Sequence, residues 1–287
     1  MLLAILFWTM ESIQCKDHLV LGQIKNSKFV LAKSNQMTFF ILSISSFQAI
    51  NFTLMLVFLF IAFKYLESFW SYKISKPFAW EKAIKEKKIS RKVLKIERRY
   101  KDKVRLYNLW FQIEQLKKRK IKGAFAELGV HQGETAKAIH FMDQNRKFYL
   151  FDTFKGFVKA DLVQEKQTDE RFSTDMFADT SVEKVKKYIN GNEQLIFKAG
   201  FFPETIKGLE TEKFAFVHVD SDLYAPTIEA LKFFYPRLAK GGVIIIHDYN
   251  HNWEGIPKAI EEFMQSIPES LIELPDWQGS AMIIKNS

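Results

Sequence analysis

Two acidic clusters, each placed directly after an apolar run of the β-strand type, are the parts of this chain best suited to chemistry. Asp220 follows the run over residues 214–219, and His247 and Asp248 follow the run over residues 242–246. In an open parallel sheet the strands are buried on both faces and end at a shared carboxyl edge, where ligands bind. Carboxylates at that edge can meet one cation or one reacting hydroxyl group.

Asp220, His247 and Asp248 form a candidate metal-binding group. Hard oxygen ligands suit Mg²⁺, which keeps several waters and leaves room for substrate oxygens. The histidine shifts the preference toward Mn²⁺, Fe²⁺ or Zn²⁺. A hydroxyl group held by a metal ion loses its proton more easily, which helps it attack a methyl group. The alternative is that residues 247–249 only cap the end of a strand.

A glycine turn lies upstream of both clusters, with Gly129 and Gly133 spaced as Gly-x-x-x-Gly. Amide groups in such a turn and at the following helix start favour an anionic group, although this is not the dinucleotide fingerprint. Asp152 ends the next strand, 19 residues after Gly133, and an acidic residue there can accept hydrogen bonds from both ribose hydroxyls. The alternative for Asp152 is a plain turn cap. Together the three residues predict an adenosyl ligand.

The elements that position these residues alternate between strand and helix from about residue 121. We predict strands over residues 124–128, 147–151, 194–199, 214–219 and 243–246, helices over 134–142, 181–188, 225–235 and 256–264, and two final strands over 271–274 and 281–284. Repeated βα units predict an α/β fold with a mostly parallel sheet, and the closing pair of strands predicts an antiparallel edge. The long irregular stretch over residues 153–180 is typical of a lid or of a disordered segment, and we favour the lid.

Residues 1–75 form an apolar leader in which residues 39–63 contain no charged side chain. This stretch is long enough to cross a bilayer, although polar residues in its first half predict that the span begins late and runs toward Trp70. Basic residues on its C-terminal side then place the following domain in the cytoplasm. The alternatives are a buried or interfacial helix, or upstream sequence translated from a wrong start. In the second case the protein would be cytoplasmic without an anchor.

The net charge of +9 belongs to one segment of the chain. Residues 81–122 contain 17 Lys/Arg against 5 Asp/Glu, a net +12, so that the remainder carries −3. A solvated face of basic helices explains this segment as well as a partner would, and no nucleic-acid-binding motif accompanies it. The single cysteine, Cys15, excludes an internal disulfide framework and a cysteine-based zinc site.

Seven motifs in chain order resemble the macrocin O-methyltransferase family, over roughly residues 105–285. They are residues 126–130 (AELGV), 150–157 (LFDTFKGF), 179–181 (DTS), 198–205 (KAGFFPET), 219–227 (VDSDLYAPT), 235–238 (YPRL) and 241–249 (GGVIIIHDY). Members of this family use S-adenosylmethionine and a divalent metal, and they methylate sugar hydroxyls of macrolides and related phenolic compounds. The resemblance implies the Rossmann-like fold of class I methyltransferases.

The resemblance also implies roles for individual residues. The cofactor set comprises Glu127, Gly129 and Gly133 at the methionine end, Asp152 at the ribose, and Gly200 and Phe201 at the adenine. Asp220 and Asp248 would ligate Mg²⁺ or Mn²⁺, and Asp220 is also the candidate base. The macrolide enzymes commonly carry Asp-Asp-Tyr where this chain has His247-Asp248-Tyr249, so the resemblance does not fix the metal or its necessity.

The resulting prediction is an S-adenosylmethionine-dependent O-methyltransferase acting on a hydroxyl of a sugar, a glycan or a related small molecule. A lipid-linked or surface glycan would suit a membrane-tethered enzyme. The predicted organisation is a leader over residues 1–75, a basic helical linker and lid region over 76–120, and the methyltransferase domain over 121–287. The alternatives are a non-catalytic S-adenosylmethionine-binding or scaffold protein, and a nucleic-acid methyltransferase, whose Asn/Asp-Pro-Pro-Tyr motif is absent. A homo-oligomer is left open.

Overall fold

The computed structural model describes residues 30–71, 76–165, 172–251 and 254–286, so that residues 1–29 and 72–75 of the leader lie outside these ranges. The chain divides into two compact units, Met1–Leu66 and Glu67–Ser287. The first described element is helix α1, Val30–Ser71. Within it, Phe47–Ser68 has a mean hydropathy of 2.0 over 22 residues, and its apolar side chains are not buried by the chain. By length and composition this stretch can cross a membrane, and among the described residues it has the late start and the extension toward Trp70 that the sequence predicts.

Three shorter helices lie between α1 and the sheet in the chain: α2 (Phe78–Lys85), α3 (Arg91–Arg99) and α4 (Lys103–Lys118). Ser90 and Asp102 cap α3 and α4, each accepting a backbone N–H of the first turn through its side chain. Trp80, Leu106 and Ile113 are fully buried and belong to the same core cluster as residues of the central strands. Fifteen of the 17 cationic side chains in residues 81–122 are exposed, as expected for a solvated face.

A seven-stranded sheet follows, in the order β3-β2-β1-β4-β5-β7-β6. Its strands are β1 (Ala124–Leu128), β2 (Phe148–Asp152), β3 (Leu195–Ala199), β4 (Phe214–Val219), β5 (Leu238–Ile246), β6 (Ile272–Leu274) and β7 (Ser280–Ile284). The first five pair in parallel, and β7 runs antiparallel to both β5 and β6. The predicted α/β class, the mostly parallel sheet and the antiparallel edge are confirmed.

The remaining helices are α5 (Glu134–Met142), the single turn α6 (Leu162–Glu165), α7 (Val182–Ile189), α8 (Tyr224–Arg237) and α9 (Gly255–Met264), with a short 3₁₀ turn over Glu204–Ile206. The sheet is buried on both faces. One core cluster lies on the face that α4 and α5 cover, and a second lies on the face that α8 and α9 cover. β5 begins five residues earlier than predicted, because Leu238 pairs with Phe214 before a register shift.

Candidate active site

The glycine turn is tied to the end of the second strand. One carboxylate oxygen of Asp152, Oδ2, accepts the backbone N–H groups of Val130 and His131 at 2.7 and 2.8 Å. The other, Oδ1, accepts the N–H of Phe154 at 2.6 Å. His131 has a φ of 45°, a conformation that non-glycine residues adopt at a cost. Asp152 therefore organises the turn, in addition to any contact it makes with a ligand.

Gly129 is required by a close approach between strands. Its φ is 85°, and a Cβ placed on it would lie 1.8 Å from the carbonyl oxygen of Asp220. Gly133, with a φ of 83°, instead approaches helix α7, since a Cβ there would lie 2.8 Å from Cγ1 of Val185. The two glycines thus have different neighbours, and only Gly129 brings the turn against the acidic cluster.

The irregular segment after β2 packs against the glycine turn. Nε2 of His131 lies 2.8 Å from Oδ1 of Asp179, and the His131 ring packs edge to face against the ring of Phe177. The hydroxyl of Thr180 donates to the carbonyl oxygen of His131 at 2.9 Å. Residues 166–171 of the predicted lid lie outside the described residues. The part that is described includes Phe157 and Phe177 among the residues that line a cavity.

The register of β4 and β5 brings the two acidic clusters together. Val219 pairs with Ile246, so that Asp220 and His247 leave neighbouring strands at the same level. Nδ1 of His247 lies 3.1 Å from Oδ1 of Asp220 and 2.9 Å from Oδ1 of Asp248. This juxtaposition is the one that the sequence predicts for the carboxyl edge of the sheet.

The charges of this cluster shift one another's pKa values. Burial alone would lower the pKa of His247, but the Asp220 carboxylate outweighs it and raises the pKa to about 9. Burial would likewise raise the pKa of Asp220, whereas the charges of His247 and Arg105 hold it well below its usual range. Burial, followed by the charges of Asp220 and Asp248, raises the pKa of Asp222 well above its usual value. At neutral pH the cluster therefore contains a carboxylate at Asp220 and an imidazolium at His247, while Asp222 keeps its proton to a higher pH than a solvated aspartic acid does.

A chain of hydrogen-bonding groups leads from Asp220 through Arg105, which also lines the cavity, to the buried side chains of His218 and Glu127. Nη2 of Arg105, on α4, lies 2.5 Å from Oδ2 of Asp220 and 3.2 Å from Nε2 of His218. Nδ1 of His218 lies 3.0 Å from Oε1 of Glu127. Burial and the Arg105 charge lower the pKa of His218 to about 3. Burial, and then the Asp220 charge, raise the pKa of Glu127 well above its ordinary value.

The residues present can hold a divalent ion. One donor atom from each of Asp220, His247 and Asp248 lies within 4.8 Å of the others. Asp248 is buried, and its Oδ1 faces Nδ1 of His247 at 2.9 Å, so the histidine supplies the counter-charge that a bound cation would replace. His247 would have to lose the Nδ1 proton before that atom could ligate, so that ion binding would release a proton.

The clusters border one cavity of about 860 Å³, within the range of sites that bind small molecules. Seven of the predicted site residues line it, namely Gly129, Asp152, Gly200, Phe201, Asp220, His247 and Asp248. Gly133 and Glu127 do not. Glu127 lies behind the cavity with an exposed fraction of 1%, and Gly133 packs against α7. The cavity thus runs from the glycine turn, where the adenosyl group is predicted, to the acidic cluster.

Sequence reasoning missed two residues of the site. The apolar run over residues 214–219 gives no signal for His218, whereas the structure gives both of its ring nitrogens a polar neighbour. Arg105 was counted within the basic segment, whereas only 13% of its side chain is exposed. A signal for Arg105 is present in the sequence. It continues the apolar stripe Leu109, Ile113 and Leu116 at helical spacing, and a lone cation on such a stripe needs a buried partner.

Comparison with known proteins agrees with this geometry. The model of the macrocin O-methyltransferase family (TylF) matches residues 99–283, more than half of the chain. The chain is 29% identical over 156 residues to 8-demethyl-8-(2,3-dimethoxy-alpha-L-rhamnosyl)-tetracenomycin-C 4'-O-methyltransferase of Streptomyces olivaceus, covering 50% of this chain and 60% of that protein. It is 28% identical over 160 residues to mycinamicin III 3''-O-methyltransferase of Micromonospora griseorubida, covering 50% and 62%. In both cases the match spans less than two thirds of the curated relative.

Two solved structures share the fold. The O-methyltransferase NovP superposes with a TM-score of 0.54 at 22% identity, covering 64% of this chain and 81% of that one. Calicheamicin methyltransferase CalS11 superposes with a TM-score of 0.52 at 19% identity, covering 62% and 77%. The family match begins at the end of α3 and ends within β7, so it contains the six other strands and every residue of the acidic cluster. This chain belongs to the macrocin O-methyltransferase family.

Proposed function

We propose that this protein is an S-adenosylmethionine-dependent O-methyltransferase that transfers a methyl group to a hydroxyl of a sugar. The observation that carries the proposal is the Asp220 carboxylate, which remains 23% exposed to the cavity while Arg105 and His247 hold its two oxygens. A carboxylate has about four acceptor positions, so Asp220 retains capacity to accept the hydrogen of an acceptor hydroxyl.

The proposed reaction is a direct displacement. The acceptor oxygen attacks the methyl carbon, the bond from that carbon to the sulfonium sulfur breaks, and S-adenosylhomocysteine leaves with the electron pair. The acceptor proton passes to Asp220. Because the chemistry is a single in-line transfer, correct placement of the two reactants supplies a large part of the rate. Asp152, Gly200 and Phe201 would place the cofactor at one end of the cavity, and the acidic cluster would place the acceptor at the other.

We further propose divalent-metal assistance at this cluster. Asp220, His247 and Asp248 would hold Mg²⁺ or Mn²⁺, as supported by the proximity of their donor atoms and by the burial of His247 and Asp248. A bound ion would make the acceptor hydroxyl more acidic. That help matters here because a carboxylate whose pKa is held low is a weak base on its own.

A sugar acceptor is supported by the names of the relatives. The Streptomyces olivaceus protein is named for methylation of a rhamnosyl-bearing tetracenomycin. For the present chain we propose a lipid-linked or surface glycan, with helix α1 as a membrane anchor and the catalytic unit on the cytoplasmic side. The apolar stretch Phe47–Ser68 and the basic residues that follow it support this placement.

The test is transfer of labelled methyl from S-adenosylmethionine to a panel of free, nucleotide-linked and lipid-linked sugars, with and without chelator. We expect transfer by the wild type and near-complete loss in Asp220→Asn, while affinity for S-adenosylhomocysteine stays within a few-fold. Asp175→Asn, an exposed aspartate away from the cluster, is the matched control. Binding of cofactor without transfer to any acceptor would favour the non-catalytic alternative.

The same assay tests the metal proposal with two further variants and with chelator. Asp248→Asn should lose activity that excess divalent ion partly restores, because a lost ligand mainly weakens metal affinity. His247→Asp should retain activity with Mg²⁺ and become more sensitive to chelator, since it replaces the imidazolium beside Asp220 with a second anion. Full wild-type activity in chelator would remove the metal role and leave Asp220 as base and hydrogen-bond anchor.

A further inference from the structure

We infer that Arg105 is a positioning residue for the proposed methyl transfer, because it fixes the orientation in which Asp220 meets the acceptor hydroxyl. The inference rests on the proposed function. It adds to that function a residue from the helical segment before the sheet, far in sequence from both acidic clusters.

The donor and acceptor pattern around Arg105 has one consistent assignment. A guanidinium group has donors and no acceptor, so the atom it faces in His218, Nε2, must carry the lone pair. The imidazole proton then lies on Nδ1 and is donated to Oε1 of Glu127 at 3.0 Å. The two hydrogens of Nη2 are directed to Nε2 of His218 and Oδ2 of Asp220, at 3.2 and 2.5 Å. His218 and Glu127 thereby set the direction in which Arg105 holds Asp220.

The backbone of Arg105 is anchored as well. Its N–H group is capped by Oδ1 of Asp102 at 3.0 Å. The other oxygen of Asp102, Oδ2, accepts the N–H of Trp277 at 2.8 Å, in the turn between β6 and β7. The first turn of α4 is therefore fixed to the far edge of the sheet, and Arg105 extends from a rigid base toward β4.

The two oxygens of Asp220 are divided between two cations. Oδ2 faces Arg105 and Oδ1 faces His247. Loss of Arg105 would leave His247 as the one charged donor to Asp220 among the described contacts, and the carboxylate would be free to rotate toward it. The hydroxyl of the acceptor would then meet a differently placed oxygen, and misplacement of a reacting group by about 1 Å lowers rates by about 100-fold.

The primary test compares Arg105→Gln with Arg119→Gln, an exposed arginine just after the end of the same helix. We expect Arg105→Gln to lower kcat by about 10- to 100-fold, the range that loss of one charge-assisted hydrogen bond permits, with KM for the cofactor and the acceptor within a few-fold. S-adenosylhomocysteine affinity, measured by calorimetry on the full chain, should stay near that of the wild type. Arg119→Gln should match the wild type in all three quantities. Arg105→Lys, which keeps the charge, should recover part of kcat.

A double-mutant cycle shows whether Arg105 acts through Asp220. If it does, Arg105→Gln combined with Asp220→Asn should be no slower than Asp220→Asn alone, because the residue it positions is already inactive. Additive losses, or an unchanged kcat in Arg105→Gln with the fold intact, would overturn the inference.

An activity-independent measurement separates this inference from the proposed function. The ring protons of His218 and His247 should be observable by NMR as hydrogen-bonded signals in the wild type, and both should shift or broaden in Arg105→Gln while Arg119→Gln leaves them in place. If the wild type transfers no methyl group but these signals respond, the proposed function fails and the positioning contact stands. If the signals do not respond, the positioning role fails whatever the enzyme does.

Discussion

Asp152→Ala tests two roles of one carboxylate, which are to hold the glycine turn in place and to bind the cofactor. The native side chain accepts three backbone N–H groups, from Val130, His131 and Phe154, at 2.6–2.8 Å. Hydrogen bonds to a charged group contribute about 1.5–3 kcal/mol each and are not additive. The substitution should therefore lower the free energy of unfolding by about 2–4 kcal/mol, measured by urea denaturation of the full chain.

The same substitution should weaken S-adenosylhomocysteine binding by about 1–3 kcal/mol, or roughly 5- to 150-fold, measured by calorimetry. Asp152→Asn removes only part of the structural role of Asp152. The single amide oxygen of the asparagine can still accept the N–H groups of the glycine turn, whereas its NH₂ group cannot accept the N–H of Phe154. We expect it to lose less stability than Asp152→Ala. Unchanged stability in Asp152→Ala would refute the structural argument, and unchanged affinity in a folded variant would refute the ribose assignment. Asp175→Asn is the control for both measurements.

Three further predictions follow from the described contacts. Gly129→Ala should destabilise the protein far more than Gly208→Ala, as measured by thermal unfolding. Both glycines have a positive φ, but only at Gly129 would a Cβ meet the backbone, 1.8 Å from the carbonyl oxygen of Asp220. Equal losses of stability in the two variants would contradict this prediction. Glu127→Gln should gain stability relative to the wild type as the pH rises above about 4.5. Burial raises the pKa of Glu127 in the folded protein, so the unfolded chain loses this proton first and the wild type loses stability toward high pH. A pH-independent difference between the denaturation midpoints of the two proteins would refute this prediction. The full chain should stay in the membrane pellet after alkaline carbonate if α1 spans the bilayer, and complete extraction would reduce Phe47–Ser68 to a peripheral helix.

The strands that build the site could be predicted because their apolar runs are continuous and end in a polar residue. Strands β1 and β4 have the predicted bounds, Ala124–Leu128 and Phe214–Val219. The register between β4 and β5 then places Asp220 next to His247. The ends of these strands are predictable because a strand that is buried on both faces is a continuous apolar run, which stops where the chain leaves the sheet. The antiparallel edge followed from the same logic, because no helix separates β6 from β7.

Contacts across the chain could not be predicted in the same way. Arg105 and Asp220 are 115 positions apart. Only its place on the apolar stripe of α4 distinguishes Arg105 from the 15 exposed cationic residues of the same segment. Glu127 and Gly133 show the opposite limitation. Their motif places them in the turn region, but only side-chain direction shows that Glu127 faces His218 and that Gly133 faces Val185.

The position of Arg105 makes the basic helices part of the catalytic geometry. Their cations are almost all solvated, yet α4 buries Leu106 and Ile113 in the core of the sheet and sends one guanidinium group to Asp220. Asp102 then links the start of α4 to Trp277 at the opposite end of the chain. A fragment beginning at residue 121 would keep all seven sequence motifs, from residues 126–130 to 241–249, but it would lack the group that orients Asp220. Its acidic cluster would be left with His247 as the counter-charge for two carboxylates, a state in which ion binding would be favoured and acceptor placement lost.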